Sequence, residues 1–123
     1  VFLQRASYVL IMSSRDCEAM NGALERADHK QCERLLYFSK TLAATKIRDG
    51  KTALIIASTR GLVEIVNILV ENGAAVNEKD DEWPGGTALM YACKEGHTEV
   101  AAMLVEKGAA VGEKDKRGWT ALS

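Results

Sequence analysis

Three groupings of residues have the types and spacing that chemistry requires. Gly50-Lys51-Thr52 matches the end of the phosphate-loop pattern G-x-x-x-x-G-K-[ST], whose glycines let backbone N–H groups cradle phosphates. The first glycine of that pattern would fall at position 45, which is Thr45, and no apolar strand run precedes it. Gly85-Gly86-Thr87 and Gly118-Trp119-Thr120 recur further along, so the triplet reads as a repeated turn. Cys93 and His97 lie at i, i+4, and His29 and Cys32 at i, i+3. Either pair could share a helical face and offer two zinc ligands, but two ligands do not make a zinc site. The structural reading is that Cys93 fills a small core position and His97 belongs to a turn. No H-E-x-x-H, G-x-S-x-G or closely spaced carboxylate pair occurs, and two histidines leave the commonest general base scarce. No catalytic residue, metal site or cofactor is expected.

The two tryptophans carry a different chemistry. Trp83 sits in Asp80-Asp81-Glu82-Trp83-Pro84-Gly85, and Trp119 lies between Gly118 and Thr120. Each indole could fold back on its own turn. Aromatic side chains and Arg also dominate interface energies, at about 2 kcal/mol or more when centrally buried, so both readings stand.

The elements that must position these residues repeat. Thr52 to Asp80 (TALIIASTRGLVEIVNILVENGAAVNEKD) over Thr87 to Asp115 (TALMYACKEGHTEVAAMLVEKGAAVGEKD) gives 16 identities in 29 positions at an offset of 35. The phrase restarts at Thr120-Ala121-Leu122, 33 residues after Thr87, so the basic period is 33 and Asp81 to Gly86 carries two extra residues. In each unit a short run with Ala53, Leu54 and Ala57, or Ala88, Leu89 and Ala92, stops at Gly61 or Gly96, as a helix of about two turns does. A second helix follows, with apolar residues at 62, 65, 66 and 69 in the first unit and at Val100, Met103 and Leu104 in the second. Residues 77–86 and 112–119 are polar, end in Gly and read as exposed turns. Residues 16–39 resemble a weaker copy, with Leu35-Leu36 under Met103-Leu104 and Asp28-His29 under Gly96-His97. Its many charges suit an end unit without an outer neighbour.

Composition bounds the rest. The 123 residues are 47% apolar and 27% charged with a net charge of −1, which describes a folding chain with no basic surplus for nucleic acid. Apolar runs such as Tyr8 to Met12 reach about five residues against roughly 20 for a membrane span. The opening VFLQRASYVLIMSS makes a poor signal peptide. Three cysteines without a C-x-x-C pair point away from a disulfide scaffold and toward a reducing compartment, cytoplasmic or nuclear. The chain begins with Val1, which suggests an excerpt or a processed product.

The pattern G-x-T-A-L-x-x-A-x-x-x-G-x-x-x-[IV]-x-x-x-L-V-E-x-G-A-x-V with a 33-residue period resembles the ankyrin repeat, strongly over residues 50–123 and loosely over 16–49. The family's T-P-L-H appears as TALI, TALM and TALS, so the Pro that starts the first helix and the His that ties neighbours are absent. The resemblance implies an all-α solenoid of stacked helix-turn-helix units with hairpin-like fingertips. Its divisions are a flanking segment 1–15, a degenerate N-terminal cap 16–49, repeats 50–84 and 85–117, and the start of a further repeat 118–123. More repeats, or another chain, are expected to cover the C-terminal end, where some of Met90, Val100 and Leu104 would otherwise lie open.

By the same resemblance the partner-facing positions are Arg48, Asp49, Lys51, Thr59 and Arg60 in the first repeat. The second supplies Trp83, Gly86, Lys94 and Glu95, and the third begins with Lys116, Arg117 and Trp119. Their mixed charges would suit a partner of either sign. Asn77 resembles the ankyrin asparagine that asparaginyl hydroxylases modify; otherwise it caps its own turn by local hydrogen bonds. The expected function is a noncatalytic protein–protein interaction module, an adaptor or scaffold, that binds a partner protein through the concave row of fingertips and inner helices. It is expected to bind no nucleic acid and to insert in no membrane. The alternatives are a substrate-recruiting or regulatory repeat domain of a larger enzyme and an inhibitor that occludes another enzyme's site.

Overall fold

Two threonines open the two full helix pairs by the same device. Thr52 Oγ1 accepts from the Ile55 N–H at 3.2 Å and Thr87 Oγ1 from the Met90 N–H at 3.4 Å, which satisfies a donor that the first helical turn leaves unpaired. In the computed structural model, which describes residues 15–38, 40–82 and 84–122, they begin α3 (Ala53–Arg60) and α5 (Ala88–Lys94). Each is followed after a short turn by a longer antiparallel partner, α4 (Val63–Glu71) and α6 (Thr98–Glu106). The N-terminal unit has the same form, with α1 over residues 15–25 and α2 over His29–Phe38, then a 3-10 turn at Lys40–Ala43. Arg15 is thus already helical, while residues 1–14 lie outside the described part of the chain.

Packing runs sideways from one pair to the next. α3 packs on α5 and α4 on α6, while α2 packs on α4. The core is a single strip of side chains, from Met20, Leu24, Cys32 and Leu36 through Leu54, Ile65 and Leu69 to Leu89, Val100 and Leu104. Val100 and Leu104, expected near an open outer face, are fully buried because both lie on the side of α6 turned toward α4 and α5. Met90 is half-buried.

Two turns decide how closely the pairs approach. Gly61, with φ +71°, ends α3 in a left-handed conformation, and a Cβ there would fall 2.5 Å from His97 Nδ1. His97 Nε2 donates to the Thr59 carbonyl at 2.9 Å, which ties the second repeat to the first. A carbonyl can only accept, so the bond fixes the proton on Nε2. A tie between neighbours is therefore present although the T-P-L-H histidine is not. In the first unit the left-handed residue is Ala27, φ 53°, and its successor Asp28 bonds back to Ala23, as Leu62 does to Ala57 and His97 to Ala92. Ala27, not Asp28, is thus the counterpart of Gly96. The buried Cys32 and Leu36 still match Val100 and Leu104, so the first unit holds one extra residue in the turn, where Asp28 Oδ1 accepts from the Gln31 N–H at 3.1 Å.

The fingertips stand on these pairs. Lys46–Arg48 (β1) and Lys51–Thr52 (β2) form an antiparallel hairpin, and Lys79 bridges Thr87 in the next turn. Gly50-Lys51-Thr52 is accordingly the exit of a hairpin and the cap of α3. Neighbouring tips are bonded in series, Asp81 N–H to the Gly50 carbonyl at 3.1 Å and Lys116 N–H to the Pro84 carbonyl at 2.8 Å.

These contacts separate two glycines that look alike in sequence. Gly96, φ +75°, has nothing within 4 Å of a built Cβ, so Gly96→Ala should cost about 1 kcal/mol for the backbone alone. Gly61→Ala adds a collision with His97 and should cost roughly 1–3 kcal/mol more, partly recovered in Gly61→Ala/His97→Ala. Urea unfolding of the four proteins measures this, and equal costs at the two glycines would show that the α3–α5 turn contact is not as close as described.

Candidate functional site

Five of the residues assigned to partner binding converge. Arg48, Asp49 and Lys51 on the first hairpin and Thr59 and Arg60 at the end of α3 line one cleft of about 240 Å³, together with Ile56 and Tyr91. The hairpin reaches them because Gly50 adopts φ +71° and lies against Asp81, where a Cβ would come within 2.6 Å of the aspartate's own. Four more, Gly86, Lys94, Arg117 and Trp119, line a second cleft of about 380 Å³ with Met90, Tyr91 and Cys93. Tyr91 belongs to both and forms their shared wall. Gly86 leaves it room, since a Cβ at 86 would sit 3.2 Å from the tyrosine ring. Glu95 is exposed at the end of α5 and lines neither cleft, and Lys116 lies on the fingertip against Gly85. Trp83 falls outside the described residues.

Several of these side chains are already engaged. Arg60 donates to the carbonyls of Leu24, through Nη1, and Glu25, through Nη2 at 3.3 Å. Its guanidinium therefore caps the end of α1, supplying donors and positive charge where helix carbonyls lack partners. Thr59 Oγ1 donates to the Ile55 carbonyl at 2.8 Å, within its own helix. Arg48 pairs with Glu25 at 3.3 Å and Asp49 at 3.4 Å, and Lys51 with Glu82 at 3.6 Å and Asp80 at 3.8 Å. Lys94 makes no hydrogen bond or ion pair with the described residues.

Trp119 combines both readings of its indole. The Arg117 guanidinium lies 4.3 Å from its ring centroid, so the ring does engage its own turn, yet Trp119 remains 54% exposed. Asn77 does not cap its own turn. Its Oδ1 accepts from the Ala110 N–H at 2.7 Å and its Nδ2 donates to the Gly108 carbonyl at 3.4 Å, joining the turns that follow α4 and α6. Cys93 is exposed, in contrast to its expected place in the core. Its counterpart Ser58 is 0% exposed because α5 covers that face of α3, whereas no helix among the described residues covers the same face of α5. His29 pairs with Glu64 at 3.2 Å while Cys32 is buried, and the described residues contain no cluster suited to a metal.

A family model described as ankyrin repeats in three copies matches residues 72–123, and the single ankyrin repeat model matches residues 49–81. The chain belongs to the ankyrin-repeat family. No curated protein matches it. Ankyrin repeats are in general noncatalytic modules that bind other proteins, and no helix among the described residues is long and apolar enough to cross a membrane.

The two ankyrin fingertip aspartates show what the two extra residues do. Asp115 Oδ1 accepts from the N–H groups of Arg117, at 2.8 Å, and Trp119, at 3.1 Å, while Oδ2 takes both ends of the Arg117 fork at 3.0 and 2.7 Å. Its own N–H reaches the Trp119 carbonyl, four residues on; Asp80 must reach Gly86, six residues on. In the longer ankyrin turn Asp80 Oδ1 is buried and accepts from no N–H group among the described residues. Asp80 Oδ2 accepts instead from the Tyr91 hydroxyl and faces Lys51. Burial, followed by the Asp80 hydrogen bond, pushes the Tyr91 hydroxyl well above its ordinary pKa. Tyr91 is therefore a neutral donor whose ring is held in place.

Sequence reasoning missed Tyr91, Met90 and Cys93 as cleft residues. The available signal was the aromatic residue at 91 where the preceding repeat has Ile56.

Burial alone would raise the Asp115 carboxyl, but the Arg117 fork and the two N–H groups outweigh it and hold the group below the usual carboxylate range. Its stabilising effect is in full above the unfolded carboxylate pKa of about 4 and is lost as pH falls through the lower folded value. Asp115→Asn should free Arg117 from the indole at neutral pH. In a Trp83→Phe background, acrylamide quenching of Trp119 should rise on substitution, and in the parent only upon strong acidification. Unchanged quenching in both would show that Asp115 does not hold the Arg117–Trp119 pair.

Proposed function

We propose that this chain is a noncatalytic interaction module, an adaptor or scaffold, that receives a partner protein across the two clefts on either side of Tyr91. The observation that carries this reading is the convergence of nine partner-facing positions from three fingertips and two inner helices on two adjoining clefts. Trp119 offers a large, rigid apolar surface in the manner of an interface anchor. In this reading the chain is a solenoid, with a cap over 16–49 and repeats over 50–84 and 85–117, and the residues from 118 open a further repeat. Of the further repeat and the other chain expected at this end, this reading assigns the other chain to the uncovered face of α5, whose Met90 and Cys93 line the larger cleft. Asn77 would be a poor hydroxylase substrate while both ends of its amide are bonded to the next turn. The odd cysteine count and the lack of a C-x-x-C pair are the grounds for a reducing cytoplasmic or nuclear location in this reading.

The engaged state of Arg60 changes which substitutions are informative. Replacing it would loosen α1, whereas Lys94 and Trp119 are exposed and tie down no other element. Affinity capture with the parent and with Lys94→Ala/Trp119→Ala, compared by quantitative mass spectrometry, should show partners that are depleted more than tenfold on the variant, with circular dichroism unchanged. Identical captured sets would contradict the assignment of the surface.

A further inference from the structure

Resting on that reading, we infer that the paired clefts select an acidic segment, with a carboxylate set at Lys94 and a large apolar side chain against Trp119. The charges are unevenly distributed. The chain as a whole carries −1, yet five cationic and two anionic side chains line the two clefts. Both anions are neutralised from within, Asp49 by Arg48 and Asp115 by the Arg117 fork. The surplus that remains comes from Lys51, Arg60 and Lys94. Lys51 is shared with Asp80 and Glu82, and Arg60 spends its donors on carbonyls that carry no net charge. Lys94 has no carboxylate of its own among the described residues.

An acidic ligand would gain at this surface without displacing any of the existing pairs. A basic segment would meet the same charges as repulsion and would have to break Arg48 from Asp49 or Arg117 from Asp115 to find an anion in the clefts. The apolar part of the requirement follows from the larger cleft, which Met90 and the half-exposed Trp119 line together with Lys94. Screening near physiological salt acts over about 8 Å, so an exposed lysine contact of this kind should be visibly salt-sensitive.

The test is selection of random twelve-residue peptides displayed on phage against the immobilised full chain, followed by fluorescence anisotropy with the leading synthetic peptide. Enriched clones should carry an excess of Asp and Glu with at least one large apolar residue. Lys94→Glu should weaken the leading peptide on the order of tenfold, Lys94→Arg should retain it, and Trp119→Ala should weaken it as well. Affinity should fall between low and physiological salt. Clones enriched without an acidic excess, lost on Trp119→Ala but indifferent to Lys94→Glu, would overturn the charge preference and leave the docking function intact. Acidic clones indifferent to both substitutions would overturn the site. Failure to enrich any clone over the blocked surface would overturn the docking function and the preference together.

Discussion

Between α3 and α5, the faces that carry Ile55, Ala57 and Ser58 are sealed from water only because a second helix pair lies against the first. A pair of eight- and nine-residue helices is too thin to enclose an apolar face of its own, so burial must be supplied by the neighbour. That requirement governs the other contacts in the molecule. Gly61 admits the His97 ring, His97 bonds to the Thr59 carbonyl, and Asn77 reaches the turn of the next repeat. The fingertips follow the same rule, with one backbone bond between successive tips and lysine–glutamate pairs such as Lys79–Glu113 at 2.7 Å beside them. Exposed pairs of this kind contribute at most about 1 kcal/mol each, so they set register more than they set stability.

The proposed binding surface is a by-product of that stacking. Fingertip residues and the ends of α3 and α5 line the two clefts together. Tyr91 belongs to both, and its hydroxyl is held by Asp80, an aspartate released from its usual turn-closing work by the two extra residues before Gly86. A change in loop length thus becomes a change in the wall shared by the two clefts. Asp115, in a turn of ordinary length, closes its own fingertip and at the same time fixes Arg117 over Trp119.

Much of this architecture was legible in the chain. The repeated Thr-Ala-Leu phrase, the stops at Gly61 and Gly96 and the apolar spacing of the second helices are local signals, and each corresponds to a cap, a left-handed turn or a buried face. What could not be read depends on partners distant in sequence. Arg60 looks like any exposed helix-end arginine until α1 is placed beside it. Cys93 aligns with a core serine, but burial at that position is conferred by the following helix and not by the residue itself. The first unit shows the same limit, since its core register is visible while the extra residue in its turn is compensated by the Asp28 cap and leaves no periodic trace.

The repeats hold one another through the α3–α5 contact. Native-state hydrogen exchange tests it most directly, read at the amides of Ala57 in α3 and Ala92 in α5 across increasing urea. With the repeats joined in this way, the two amides open with the same free energy and the same urea dependence, and His97→Ala lowers both equally. Independent opening, with His97→Ala accelerating exchange in α5 and α6 alone, would contradict it.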